Sequence, residues 1–230
     1  TDFSFEILVH DDASTDGSQQ IIREYQKQYP NLIFPILQTE NQYSKGIRIS
    51  SAYLWPRARG EFYVSLECDD FWCDSLKLQK QVNAMRKHPE CVMCAHRVLL
   101  CDEEGKLTGH FLPKEQIAEQ KISAEKMVHM VASDDMFHTS SRLLYTKILR
   151  EFATKNPEWY ACSRHVGDAP QMLFLAQKGD AYFLSDVMTC YRQNSIGSFS
   201  DRSAKDNRFF ITVRYELAEM WHLFAEESPC

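Results

Sequence analysis

Glu67, Asp69 and Asp70 stand within four positions of one another, directly after the apolar run 62–66. If that run is a buried parallel strand, the three acids emerge at its carboxyl end, where open α/β sheets place their ligands. Like charges so close repel, and a hard divalent cation among them makes the arrangement favourable. Mg²⁺ or Mn²⁺ takes one or two protein carboxylates and leaves positions for water and substrate phosphates. The chemistry suggested is therefore that of a diphosphate site. A solvated acidic turn leading into the next helix explains a bare Glu-x-Asp-Asp more simply, so the surrounding chain must decide.

Two further acidic sites accompany this one. The strand-like run 5–9 leads straight into His10-Asp11-Asp12-Ala13-Ser14-Thr15-Asp16-Gly17-Ser18. Asp11 and Asp12 sit where a strand end accepts hydrogen bonds from a ring N–H or a ribose hydroxyl, with loop and cap chemistry as the plain alternative. Asp16 or Ser18 would cap the helix that follows, whose stripe of Ile21, Ile22, Tyr25 and Tyr29 ends at Pro30. No glycine-rich phosphate loop is present, so neither a P-loop nor a dinucleotide fingerprint applies. The third site is Gly167-Asp168-Ala169-Pro170, which opens an apolar helix. Asp168 reads as an N-cap, a role that stabilises by about 1 kcal/mol, and an acid held rigidly at a helix start beside a cleft also suits a general base.

The elements that would position these acids alternate between strand and helix. A strand at 32–37 is pushed to a sheet edge by Pro35, and the polar loop 38–46 carries Lys45 as its only cation. A helix is expected at 47–53, and another after Asp74 with Leu78, Val82 and Met85 on one face. An antiparallel hairpin pairs 92–100 with 106–112, and a short helix covers 123–131. Phe137-His138-Thr139-Ser140-Ser141 offers hydroxyls to a sugar, although strand serines need no such explanation. Two short strands, 181–184 and 187–191, precede a last helix at 206–227 with the stripe Phe210, Val213, Leu217, Met220 and Phe224. The expected class is α/β, with a mixed, mostly parallel sheet flanked by helices. Residues 1–200 form one domain, and 201–230 form an amphipathic helix that packs on it, contacts a membrane surface or dimerises.

Composition narrows the field. The 230 residues carry a net charge of −6 with no lysine or arginine block, which argues against nucleic acid as a partner. The eight cysteines are scattered, and Cys91-Val-Met-Cys94 with His96 and Cys101 can be drawn as a zinc site. On a strand Cys91 and Cys94 would face opposite sides, so buried free thiols are the better reading. No uncharged run reaches the length of a membrane span and no signal peptide is visible. The expectation is a cytoplasmic protein, with peripheral contact at the inner membrane face as an option. The chain opens at Thr1 just before an apolar run, which suggests that an N-terminal piece is missing.

Taken together, Asp11-Asp12-Ala13-Ser14-Thr15-Asp16-Gly17-Ser18, Glu40-Asn41-Gln42-Tyr43-Ser44-Lys45-Gly46, Arg57-Ala58-Arg59-Gly60, Glu67-Cys68-Asp69-Asp70-Phe71-Trp72, Leu76-Lys77-Leu78-Gln79-Lys80-Gln81, Gly167-Asp168 and Tyr191-Arg192 resemble, in that order, family 2 glycosyltransferases of the GT-A fold. The resemblance spans residues 5 to about 200. It implies an inverting transfer from a nucleotide diphosphate sugar, UDP-linked by expectation, to a hydroxyl of a growing surface glycan, free or lipid-linked. Asp11, Asp12, Ser14, Lys45, Glu67 and Asp69 would then hold the donor, Asp69 and Asp70 a divalent Mg²⁺ or Mn²⁺, and Asp168 would be the catalytic base. Three departures stand out: Glu67 in place of the usual first aspartate, Ser75 in place of a helix-opening proline, and Asn194 where many relatives carry histidine. A nucleotidyltransferase needs the same acids, metal and nucleotide crevice, and a catalytically inactive nucleotide-sugar-binding module is the alternative outside the enzymes.

Overall fold

The computed structural model describes residues 1–193 and 198–227. Nine strands and eight α-helices follow one another in these residues. They begin with β1 (Ile7–Asp11), α1 (Ser18–Gln28), β2 (Ile33–Leu37), β3 (Phe62–Val64) and β4 (Phe71–Trp72). Then come α2 (Lys77–Lys87), β5 (Met93–Cys101), β6 (Leu107–Leu112), β7 (Gln120–Ile122), α3 (Ala124–Ala132), β8 (Leu143–Tyr145) and α4 (Thr146–Lys155). The chain continues with α5 (Glu158–Cys162), α6 (Asp168–Ala176), β9 (Ala181–Arg192), α7 (Phe199–Lys205) and α8 (Asn207–Glu227). The elements divide into two compact units, 1–63 with 145–155, and 64–144 with 156–230. Among the described residues no helix is long and apolar enough to cross a membrane.

In the first unit β1 and β2 pair in parallel from Ile7 opposite Ile33 to Asp11 opposite Leu37. Each has only that partner among the described residues. Pro35 therefore sits on an edge strand, where its missing N–H costs no ladder bond. The expected burial of β1 is only partial, with Ile7 exposed and Asp11 buried at its end. The α1 stripe is likewise open, since Ile21, Tyr25 and Tyr29 are each at least half exposed. Neither Asp16 nor Ser18 caps α1. Gly17 takes the N-cap in the left-handed conformation, and Asp16 braces the turn by accepting the N–H and hydroxyl of Ser18 at 3.1 and 2.7 Å. The helix expected at 47–53 is a π-helical turn, Ser50–Leu54. Arg150 of α4 binds it by donating to the Trp55 and Ala58 carbonyls.

The second unit contains most of the core, while Trp55, Leu149 and Phe152 are buried in the first. β5 lies parallel to β9, which is one continuous strand where two short ones were expected, and register shifts around Arg97 mark the irregularity between them. β6 and β8 pair antiparallel with β5, and β4 and β7 do so with β9. The sheet is mixed, as expected, but antiparallel pairings outnumber parallel ones among the described residues. Short connections such as the 101–107 hairpin permit only antiparallel return, whereas a parallel return needs a crossover. α6 is buried along its length from Ala169 to Ala176, apolar except for Gln171, so the helix that begins at Asp168 is enclosed by the core. α8 packs on this unit through Phe209, Val213, Met220 and Phe224. Phe209 takes the place expected for Phe210, with its ring edge-on to His165 and Phe199 and the Arg202 guanidinium 4.0 Å from its centroid, while Phe210 is exposed.

Candidate active site

Four of the residues expected to hold the donor, Asp11, Asp12, Ser14 and Lys45, are on the first unit. Asp11 closes β1, and its Oδ1 accepts the Ser14 N–H at 3.0 Å and the Gln19 amide at 2.8 Å. Burial works against its charge, yet the Ser14 and Gln19 donors prevail and hold its carboxyl below the ordinary range. Asp12 accepts the backbone N–H groups of Gln42 and Tyr43, at 2.8 and 2.9 Å, with one oxygen each. The two loops are thereby stitched together, and Lys45 pairs with Glu40 in the second of them. Ser14 braces Asp11 with both its backbone and its hydroxyl. A donor phosphate reaching Lys45 would have to compete with Glu40. Directly after the two aspartates Ala13 sits at φ 65°, a left-handed backbone that costs a non-glycine residue roughly 1–2 kcal/mol. Ala13→Gly should therefore stabilise the fold by about 0.5–1 kcal/mol after glycine's own entropy cost and so raise the urea midpoint; an unchanged or lowered midpoint would show that the loop holds no such strain.

The second unit holds the other acids. β3 ends at Val64 rather than continuing to 66, and it is half-buried. The acids follow in a turn closed by the Asp70 N–H on the Glu67 carbonyl at 3.0 Å. A second short strand, β4, then intervenes before α2, so the motif joins strand to strand. Pairing of Phe71 with Cys190 and of Trp72 with Thr189 accounts for it. Asp74 does not cap α2 directly. It accepts the Leu76 N–H at 2.7 Å and pairs with Lys80, one residue before the helix begins.

Within this turn the two aspartates differ. Asp70 is 7% exposed, and its Oδ1 accepts the Arg192 N–H at 2.9 Å, while its Oδ2 is buried without a hydrogen-bond donor. The neighbouring Ser140 hydroxyl is engaged by His138 Nδ1 at 2.7 Å, a nitrogen that also accepts the Ser140 N–H and so is the unprotonated one. Burial pushes the Asp70 carboxyl up to about 6, with the Arg192 N–H opposing and the charge of Asp69 reinforcing. Asp69 is only half-buried, and its carboxylate accepts no hydrogen bond from a described residue; Arg192 instead donates to its carbonyl at 2.9 Å. Glu67 is pushed up to about 7 by desolvation and then by Asp70, Asp69 and Asp168.

Asp168 is the first residue of α6 rather than its cap. Gly167 holds the cap position without a side-chain bond, and Asp168 Oδ1 accepts the adjacent Ala169 N–H at 2.9 Å. Glu67, Asp69, Asp70 and Asp168 thus share one negative field, and Asp70 adds an orphaned buried oxygen. Both features fit a divalent cation. No three His, Cys, Asp or Glu side chains among the described residues close on one point. A Mg²⁺-type ion needs only one or two carboxylates, completing its shell with water and phosphate. Asn194 lies outside the described residues. The hydroxyls of Ser140 and Ser141 are buried and bonded to His138, so they do not face a sugar. The thiol of Cys94 is pushed up to about 12 and His96 down to about 3, both chiefly by burial.

Three residues had no role assigned from sequence. Arg192 knits the acidic turn to β9 through its backbone and guanidinium. His138 packs on Tyr191 with ring centroids 4.1 Å apart, and its Nδ1 accepts the hydrogen bond of the Ser140 hydroxyl. Arg142 is buried and donates to the Asp168 carbonyl. The one signal for Arg142 was a lone cation set among Ser140, Ser141, Leu143 and Leu144.

The mixed sheet flanked by helices, with acids placed at strand and helix ends, is a GT-A-type α/β architecture. Residues 1–147 match the family model described as glycosyl transferase family 2, and the chain belongs to that family. An uncharacterized protein of Mycobacterium tuberculosis H37Rv, Rv1520, is 30% identical over 219 residues, 95% of this chain and 58% of its own length. TuaG of Bacillus subtilis, named as a teichuronic acid biosynthesis glycosyltransferase, is 27% identical over 212 residues, covering 89% of this chain and 75% of TuaG. EpsE of the same organism, named as a glycosyltransferase, is 29% identical over 110 residues, 48% of this chain and 38% of EpsE. The chain thus spans 58% of the length of its mycobacterial relatives. Asp168 falls beyond the matched 1–147, so its expected role as base rests on the resemblance of the Gly167-Asp168 motif.

Proposed function

We propose that this chain carries the catalytic part of an inverting, metal-dependent transferase that moves a sugar from a nucleotide diphosphate donor, UDP-linked, to a hydroxyl of a growing surface glycan. The observation that carries the reading is the shared field of Glu67, Asp69, Asp70 and Asp168, with Asp168 fixed at the start of a fully buried helix. Asp11 and Asp12 hold the nucleoside end of the donor. The acceptor hydroxyl attacks the anomeric carbon as the bond to the diphosphate oxygen breaks, and its proton passes to the Asp168 carboxylate. Asp69, with Asp70 behind it, would hold a divalent cation, which supplies charge neutralisation on the departing diphosphate. Phe71 is exposed and available to the sugar, whereas Trp72 lies under the Lys77 ammonium, 4.5 Å from its ring, and serves the core.

Calorimetric titration with UDP, GDP, dTDP and CDP, each with and without Mn²⁺, tests the reading. One diphosphate, UDP by expectation, should bind at least about tenfold more tightly with Mn²⁺ than in chelator, since bare carboxylates repel diphosphate. Equal binding of all four in both conditions would remove nucleotide and metal from the account.

A further inference from the structure

Arg142 is the largest charged side chain fully enclosed in the core, at 1% exposure. A buried cation is tolerated only when its donors are satisfied, and here every acceptor is neutral. Nε and Nη2 both donate to the Phe137 carbonyl, the first at 2.8 Å. Nη1 donates to the Asp168 carbonyl at 3.2 Å and to the Gln171 side-chain oxygen at 3.1 Å. The charge acting on the guanidinium is that of Asp168, and desolvation lowers its affinity for its own proton to about 10, so it stays charged. One rigid fork therefore spans the turn before β8 and the first turn of α6. A hydrophobic side chain would fill the space without the desolvation cost, so packing alone does not account for a charge at this point.

We propose that Arg142 is a positioning residue for Asp168: its planar guanidinium anchors the first residue of α6 and places a fixed positive charge behind the carboxylate that receives the acceptor's proton. The inference rests on the reading of Asp168 as the base. Lysine cannot substitute for the fork, because a single ammonium on a flexible stem cannot serve the Phe137, Asp168 and Gln171 oxygens in one plane. Gln171 shares Nη1 with Asp168 and so sets the strength of that anchor.

The test uses Arg142→Lys, Gln171→Glu, Asp168→Asn and the double variant Arg142→Lys/Asp168→Asn. Turnover is read as UDP release from UDP-glucose, UDP-galactose and UDP-N-acetylglucosamine with Mn²⁺, water serving as acceptor. UDP affinity and the thermal midpoint are measured in parallel. Arg142→Lys should lower kcat by about 10–100-fold while UDP affinity stays within about twofold. In the Asp168→Asn background the same substitution should cause no further loss, because the residue acts through the carboxylate; a structural role would lower both backgrounds alike. Should Arg142→Lys not fold, Gln171→Glu decides. Its added carboxylate draws the guanidinium from Asp168 in a folded protein, and kcat should fall several-fold at unchanged UDP affinity. Full turnover by whichever of the two folds, with Asp168→Asn inactive, overturns the role of Arg142 and leaves the base assignment standing. Full turnover by Asp168→Asn overturns both.

Discussion

Asp168→Asn should lower sugar transfer by roughly 10²–10⁴-fold, the range lost when a general base is removed, while leaving nucleotide binding nearly unchanged. The separation follows from what asparagine keeps. Its Oδ1 accepts the Ala169 N–H as the aspartate does, and neither the Arg142 bond to the main-chain carbonyl nor the burial of α6 depends on the side-chain charge. Loss of the local bond alone should therefore cost no more than about 1 kcal/mol, and a larger drop reports the buried Arg142 cation left without its opposing charge. What asparagine loses is the capacity to take a proton, and that capacity concerns the acceptor rather than the nucleotide. Single-turnover transfer, UDP titration and thermal melting of the same preparation test all three. Near-normal transfer would return Asp168 to a purely local role in the first turn of α6 and leave the base unassigned.

A comparably large effect should come from withdrawing divalent cations. In chelator the folded chain holds Asp70 up to about 6 and Glu67 up to about 7, above their ordinary values of 3.8 and 4.5. Between those values the native state binds protons that the unfolded chain has released. Stability therefore falls as pH rises from about 4 to about 7 and levels off above. Buried Asp70 accounts for most of the loss, about 1–3 kcal/mol, and exposed Glu67 for less because solvent screens it. Mn²⁺ at pH about 7.5 should restore the thermal midpoint, since it replaces the lost protons as the counter-charge. Asp69→Ala should both flatten the pH slope in chelator and abolish the Mn²⁺ rescue. A midpoint that holds or climbs between pH 5 and 7.5 without metal would show that these carboxylates are not crowded in solution.

Local chemistry made much of the frame legible. The hairpin of β5 and β6 and the helices α2, α3 and α6 fall where periodicity and turn residues place them, because each depends on neighbours a few positions away. Failures lie where a distant partner decides. β4 has only two residues, too few to carry a pattern, and exists because β9 passes alongside. The two strands expected at 181–184 and 187–191 fuse because β5 pairs along the whole of β9. The open α1 stripe and half-buried β1 show the converse: an amphipathic pattern states which face seeks cover but not what covers it.

By itself, then, the sequence determined the acid-bearing loops, their order and the strand or helix that each adjoins, since charge placement and chain direction are written residue by residue. Only the tertiary structure decided which acids interact. It buried Asp70 against β9 and left Asp69 half-exposed, and it moved Asp168 from the cap to the first turn of α6. It also set Arg142 behind Asp168, although 26 positions separate them in the chain. The physical reason is that desolvation and long-range charge depend on what surrounds a group in space, and sequence neighbours supply only a small part of those surroundings.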